Sequence, residues 1–192
     1  MNQLTQFPNW FEVTARKHFE TNLSAYATSD NLHFLQIGVY TGDATGWLVE
    51  NVIDATSDLT DVDTWGGSNE TGHAEIDFAA VEKIYDKRFA DCKNVIKLKT
   101  DSKTFWQTAP TDHYDFIYVD GAHTYDGVLL DASHAWECIK VGGVIAFDDY
   151  AWYDDQGKYN IKWATNKFFA NKGSKIDYIV EAEQLWIRKV GK

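Results

Sequence analysis

Leu32-His33-Phe34-Leu35-Gln36-Ile37-Gly38-Val39-Tyr40-Thr41-Gly42 is the stretch that decides the fold. From Leu32 to Val39 it is almost continuously apolar, the pattern of a strand buried on both faces. It runs into a turn with glycine at 38 and 42. A helix follows, with Ala44, Trp47, Leu48 and Val52 at helical spacing. Working outward, the same unit recurs. A weaker strand covers Leu59 to Asp63 and ends in Asp63-Thr64-Trp65-Gly66-Gly67. A helix from about His73 to Phe89 has Ile76, Ala80, Ile84 and Phe89 on one side. Strands are predicted at Asn94 to Leu98, Phe116 to Val119 and Val144 to Phe147. The most regular helix carries Tyr125, Val128, Leu129, Ala132, Trp136 and Ile139, and Gly142-Gly143 is expected to break it. A last helix runs from about Ile161 to Asn171, stopped by Gly173. Ile176 to Val180 and Gln184 to Val190 then form a hairpin across Glu181-Ala182-Glu183.

Strands alternating with helices predict an α/β fold, a mostly parallel sheet covered by helices with an antiparallel terminal hairpin. The 192 residues fit one domain, 1–192, and only two prolines and no linker interrupt them. Residues 1–30 are expected to form a helical cap over the domain or its site, with Phe19, Leu23 and Tyr26 on one face; 31–192 form the core.

Composition narrows the function. Against 29 acidic residues stand 18 basic ones, a net charge of −11, so phosphate backbones and anionic membranes are repelled and nucleic acid is a poor partner. At 44% hydrophobic the chain is not of disordered composition. Cys92 and Cys138 show no metal or redox spacing and read as thiols of a reducing compartment. Met1-Asn-Gln-Leu-Thr-Gln lacks the charges and apolar run of a secretory leader, and no stretch is apolar enough to span a membrane. A cytoplasmic location is the expectation. No sequence feature fixes the oligomeric state, and a homo-oligomer stays open.

In an open α/β sheet, ligands bind beyond the carboxyl ends of the strands. Those ends are acidic: Asp63, Asp101, Asp120 and Asp148-Asp149. Each acid alone also reads as a turn or helix cap. The Gly38/Gly42 turn lets backbone approach a ligand, but Tyr40 and Asp43 stand where a nicotinamide fingerprint needs glycine. Asp63 can accept both hydroxyls of a ribose, and Asp101-Ser102 can flank an adenine or cap the next helix.

Gln36–Thr45, Val62-Asp63-Thr64-Trp65, Asp101-Ser102, Tyr118-Val-Asp-Gly-Ala-His-Thr-Tyr125 and Val141–Tyr150 together resemble the class I S-adenosylmethionine-dependent methyltransferases. More narrowly they are similar to small O-methyltransferases of the catechol and macrocin types, over roughly residues 30 to 190. The resemblance implies a Rossmann-like three-layer sandwich with seven strands, the last antiparallel. It implies S-adenosylmethionine as cofactor, with Gly38, Tyr40 and Gly42 at its methionine end and Asp63 on the ribose. Asp101 and Ser102 then flank the adenine, and Gln36, Thr64, Trp65 and Asp120 complete the cofactor set. Gln36 departs from the family, whose first motif begins with an acid.

The resemblance also places a divalent ion, Mg²⁺ by its all-oxygen ligands, among Asp120, Asp148 and Asp149. Elementary electrostatics agrees: each close pair of carboxylates costs on the order of 1–4 kcal/mol in a wet site unless a cation or proton neutralises it. Both acids of the 148–149 pair can ligate only if the strand has already ended, because adjacent strand residues face opposite ways. At the position of the macrocin-type acid stands Ala122, and His123 beside it is the candidate base; His73 and His113 are worse placed. Tyr40, Trp65, Tyr125, Tyr150, Trp152 and Tyr153 are the aromatics expected near the mouth, with Tyr150–Lys158 as a candidate lid. The expected reaction is methyl transfer to a hydroxyl of a small molecule. Two other readings remain: a cofactor-binding module without turnover, and a metal-dependent hydroxylase on the same fold.

Overall fold

The computed structural model describes residues 7–68 and 73–192; the first six residues of the expected cap lie outside them. The strands are β1 (His33–Ile37), β2 (Asp58–Asp63), β3 (Val95–Lys99), β4 (Tyr114–Val119), β5 (Ile139–Phe147), β6 (Ile176–Glu181) and β7 (Leu185–Lys189). The helices are α1 (Trp10–Thr14), α2 (Arg16–Asn22), α3 (Asp43–Asn51), α4 (Phe78–Phe89), α5 (Ser102–Phe105), α6 (Tyr125–Cys138) and α7 (Asn160–Phe169). One sheet runs in the order β3-β2-β1-β4-β5-β7-β6. β1 to β5 are parallel; β7 pairs antiparallel with β5, and β6 with β7. This is the Rossmann-like sandwich, seven strands with an antiparallel C-terminal pair.

Period-two alternation divides the strand residues between two cores. Leu35, Ile37, Ile117, Val119, Ile145 and Phe147 meet α6 and α7 through Val128, Ala132, Trp136, Ala164 and Phe169. Phe34, Leu59, Phe116, Tyr118, Val144, Ala146 and Trp186 meet Leu48 of α3 together with Phe19 and Leu23 of the N-terminal segment. Phe19 lies edge-on to Phe116, Tyr118 and Trp186 at 5.7, 5.0 and 5.5 Å.

Several boundaries differ from the sequence expectation. Helix α4 starts at Phe78 rather than near His73, because the Asp77 side chain caps it by accepting from the Ala80 amide. The Gly142-Gly143 pair does not break a helix: α6 ends at Cys138 and β5 begins at once, with both glycines inside the strand. A Cβ on Gly143 would come within 3.0 Å of the Asp115 carbonyl, so glycine there admits close passage beside β4, where the pairing register shifts. The one-turn α5 is too short to show periodicity. Among the described residues, no helix is long and apolar enough to cross a membrane.

The switch point lies between β1 and β4, neighbours whose crossovers leave in opposite directions. There the Asp120 amide donates to the Ile37 carbonyl (2.7 Å) and the Gly38 amide to the Val62 carbonyl (2.9 Å).

Phe19 tests how firmly the N-terminal segment is docked. Phe19→Ala is expected to lower unfolding free energy in urea by about 3–5 kcal/mol. A loss below about 1 kcal/mol would show that the segment adds little to the fold.

Candidate active site at the carboxyl rim

The turn after β1 is bent by three left-handed residues, Gly38 (φ 85°), Tyr40 (φ 56°) and Gly42 (φ 79°). Asp63 at the end of β2 holds it. Its Oδ2 accepts from the Val39 and Tyr40 amides (2.7 and 2.9 Å) and its Oδ1 from the Trp65 amide (2.7 Å). A carboxylate offers about four acceptor positions, so three amides leave one, on Oδ1. Asp63 can therefore take one ribose hydroxyl in this arrangement, not the two expected.

Beyond the turn, Arg88 of α4 donates to the Thr41 carbonyl and to Asp43 Oδ1 (2.8 and 2.7 Å). Gly42 gives the first turn of α3 no side-chain cap. Uncapped amides at the start of a nine-residue helix suit a carboxylate such as that of a methionine moiety. The Tyr40 hydroxyl is buried without a hydrogen-bond partner among the described residues, and burial, then Asp43, pushes its pKa up to about 12.

The other sequence candidates divide. Thr64 is exposed and its hydroxyl accepts from the Gly66 amide (3.1 Å). The Trp65 ring does not line the mouth: it is buried against Tyr85 and Lys97, with its Nε1–H on the Tyr40 carbonyl (2.9 Å). Asp101 caps α5 through the Thr104 amide (2.6 Å), which holds its pKa below the usual range. Ser102 follows it, half-buried. Gln36 does not face the cleft; it lies under the turn, 99% buried, and donates to Thr45 and Asp61. Tyr150 is likewise withdrawn from the mouth, its one hydroxyl proton facing Asn166 Oδ1 (2.9 Å) and Glu181 Oε1 (3.1 Å).

At the ends of β4 and β5 the structure brings Asp120, His123 and Asp149 together, each able to offer one ligand atom within 4.8 Å of the others. His123 Nε2 lies 3.8 Å from Asp120 Oδ1 and 3.4 Å from Asp149 Oδ2. The Trp152 ring stands 5.2 Å from the imidazole. Desolvation, then the Asp148 charge, lifts the Asp120 pKa well above the carboxylate range, against the pull of His123.

Asp148 departs from the three-aspartate expectation. Its carboxylate is turned inward, accepting from the Tyr118 hydroxyl (2.6 Å) and the Gln184 amide (2.8 Å). The strand has ended at Phe147, and the left-handed φ of Asp149 (53°) sends the two acids apart. His123 stands where the third carboxylate was expected. Gln184, which holds Asp148, reads in the sequence as the first residue of the last strand; it lies just before β7, and its partner is 36 residues away in the chain. His113 stacks on His33 at the opposite, amino-terminal rim.

Asp61 was also missed. It is fully buried, its Oδ2 accepting from Thr45 and Tyr85 and its Oδ1 from Gln36. The available signal was an acid inside a buried strand, which demands partners.

Comparison with known proteins bears on this geometry. The profile of the methyltransferase-domain family matches residues 35–150, from β1 through the acid pair after β5. A search of curated proteins gives no match. Solved structures with similar folds include a Clostridium thermocellum protein provisionally described as an rRNA methylase (11% identity, 93% of this chain and 97% of that one, TM-score 0.70). Another is the Podospora anserina methyltransferase PaMTH1, solved with S-adenosylhomocysteine bound (18%, 97% and 84%, 0.65). A third is the O-methyltransferase NovP (18%, 92% and 78%, 0.64). The chain belongs to the methyltransferase-domain family. Its cofactor by that membership is S-adenosylmethionine, and the uncapped α3 terminus and the remaining acceptor on Asp63 suit it.

Asp61 sets a pH dependence. Burial raises its pKa from the ordinary 3.8 to about 7. Below 3.8 both folded and unfolded chains hold the proton; between 3.8 and 7 only the folded one does, so stability from this group is lost as pH rises. Asp61→Asn should therefore gain stability relative to wild type as pH rises from about 4 to about 8, measured by urea unfolding. A difference that does not change with pH would contradict the assignment.

Proposed function

We propose that the protein transfers the methyl group of S-adenosylmethionine to a hydroxyl of a small molecule, with a divalent cation at Asp120 and Asp149 and with His123 as general base. The observation that carries this reading is the meeting of Asp120, His123 and Asp149 at the switch point, beside the turn that suits the cofactor. Two carboxylates can hold a cation while the neutral imidazole beside them takes a proton, the chemistry that deprotonating a hydroxyl requires. When bound, the cofactor supplies an activated methyl group, and the cation supplies positive charge that acidifies a nearby hydroxyl.

The chain's own residues do the rest. The Gly38–Gly42 turn and Asp63 orient the donor, an alignment worth roughly 7–11 kcal/mol in well-ordered cases. His123 Nε2 takes the hydroxyl proton and passes it on to solvent, and Asp149 and Asp120 beside it fix the ring's position. Asp148, held by Tyr118 and Gln184, supports the rim rather than binding the cation. Trp152 offers a flat face beside His123 for the acceptor. The net charge of −11 argues against an RNA acceptor and favours a neutral or cationic small molecule.

The test is methyl transfer to a panel of hydroxylated small molecules, after EDTA treatment and after Mg²⁺ or Mn²⁺ is restored. Activity should vanish and return with the metal. Asp149→Asn should weaken Mn²⁺ binding at least tenfold, and His123→Gln should lower kcat by roughly 10²-fold while Mn²⁺ binding persists. Full turnover after exhaustive EDTA treatment would refute the cation, and unchanged kcat in His123→Gln would refute the base.

A further inference from the structure

We propose that Asp61 is the positioning residue of the cofactor turn, fixing both of its ends from beneath through Gln36 and Thr45. The inference rests on the cofactor reading alone and is independent of the cation and the acceptor.

Gln36, the second-last residue of β1, and Asp61 of β2 are register partners. Gln36 Nε2 donates to Asp61 Oδ1 (3.0 Å) and to Thr45 Oγ1 (2.9 Å). The Thr45 hydroxyl in turn donates to Asp61 Oδ2 (2.8 Å), and the Tyr85 hydroxyl of α4 donates to the same oxygen (2.7 Å). Gln36 precedes the Gly38–Gly42 turn and Thr45 follows it. One buried carboxyl therefore ties the strand before the turn to the helix after it, and both to α4. Two residues further along β2, on the same face, Asp63 holds the middle of the turn through the Val39 and Tyr40 amides. The turn needs such tethers, since the left-handed Tyr40 costs of order 1–3 kcal/mol and persists only where its surroundings impose it.

Among the described residues, no cation pairs with Asp61. Lys97, its register partner on β3, directs its Nζ to Glu82 and Asp86 of α4 instead. Asp63 is the nearby like charge, and Tyr85 donates as a neutral phenol. With no cation present, the pair tolerates one acid. Gln36 supplies the amide that matches it, and the position of Gln36 under the turn follows from that pairing. An acid at position 36 would set two carboxyls at the distance now spanned by a hydrogen bond, a pair that must take up a proton to stay together.

The test is reciprocal exchange. S-adenosylhomocysteine affinity is measured by calorimetry for wild type, Gln36→Glu, Asp61→Asn and the double variant, with amide exchange read at Val39, Tyr40 and the central β5 residue Ile145. Gln36→Glu should weaken binding roughly tenfold and speed exchange at Val39 and Tyr40 but not at Ile145. Asp61→Asn keeps an acceptor for Tyr85 and Thr45 but sets its own amide against the Gln36 amide, so it should weaken binding severalfold and speed exchange at Val39 and Tyr40, less than Gln36→Glu does. The double variant restores an acid–amide pair with the roles reversed, and should recover affinity to within about threefold. Wild-type affinity in Gln36→Glu, or a double variant as weak as Gln36→Glu, overturns the inference. So does exchange that rises at Ile145 in step with the turn, which marks general destabilisation. If wild type itself binds no S-adenosylhomocysteine, the cofactor reading falls and this inference with it; wild-type binding beside unaffected variants sinks the inference alone.

Discussion

No side chain fits between Gly38 and the carbonyl of Asp120: a Cβ on Gly38 would lie 1.9 Å from that oxygen. Everything at the carboxyl rim depends on this contact. It lets the turn after β1 lie directly against the end of β4, and the hydrogen bond from the Asp120 amide to Ile37 fixes the register. The donor end of the site and its acidic end are adjacent for that reason. A larger residue at 38 would force apart the two strands between which the sheet reverses its winding, and the cleft lies at that reversal.

Around that contact the work is divided by the pleat of β2. Asp61 and Asp63 lie two residues apart on one face of the strand and both serve the same turn. Asp63, at the rim, meets backbone amides and keeps one acceptor for a ligand. Asp61, below, meets only side chains and is sealed from water. The neighbouring acids of β5 behave differently because they follow the strand rather than lie in it. Without the pleat to alternate them, the left-handed Asp149 turns its carboxylate to the cleft and Asp148 turns inward to Tyr118 and Gln184.

Much of this was legible in the sequence because burial on both faces leaves a continuous apolar run, and helices packed on a sheet leave a 3.6-residue period. The mostly parallel sheet, the antiparallel end and the acidic rim follow from such patterns and from the resemblance they carry. Glycine was the misleading signal. At 142–143 it reads as a helix breaker, whereas it serves a strand pressed against β4. Side-chain direction at the rim was illegible for another reason: whether Asp148 or Asp149 faces the cleft depends on where β5 stops, and strand ends are set by partners remote in sequence. The demand for partners around Asp61 could be read, but not their identity, since Gln36, Thr45 and Tyr85 come from three other elements. Trp65 and Tyr150 misled in the same way, as aromatics near a rim that packing draws inward.

The most direct test of the account is the anomalous difference density of crystals grown with Mn²⁺ and S-adenosylhomocysteine. The account predicts one manganese peak between the carboxylates of Asp120 and Asp149, with the ligand's ribose against Asp63 and its carboxylate at the start of α3. A peak ligated by Asp148, or ordered ligand density with no manganese at the rim, would contradict it.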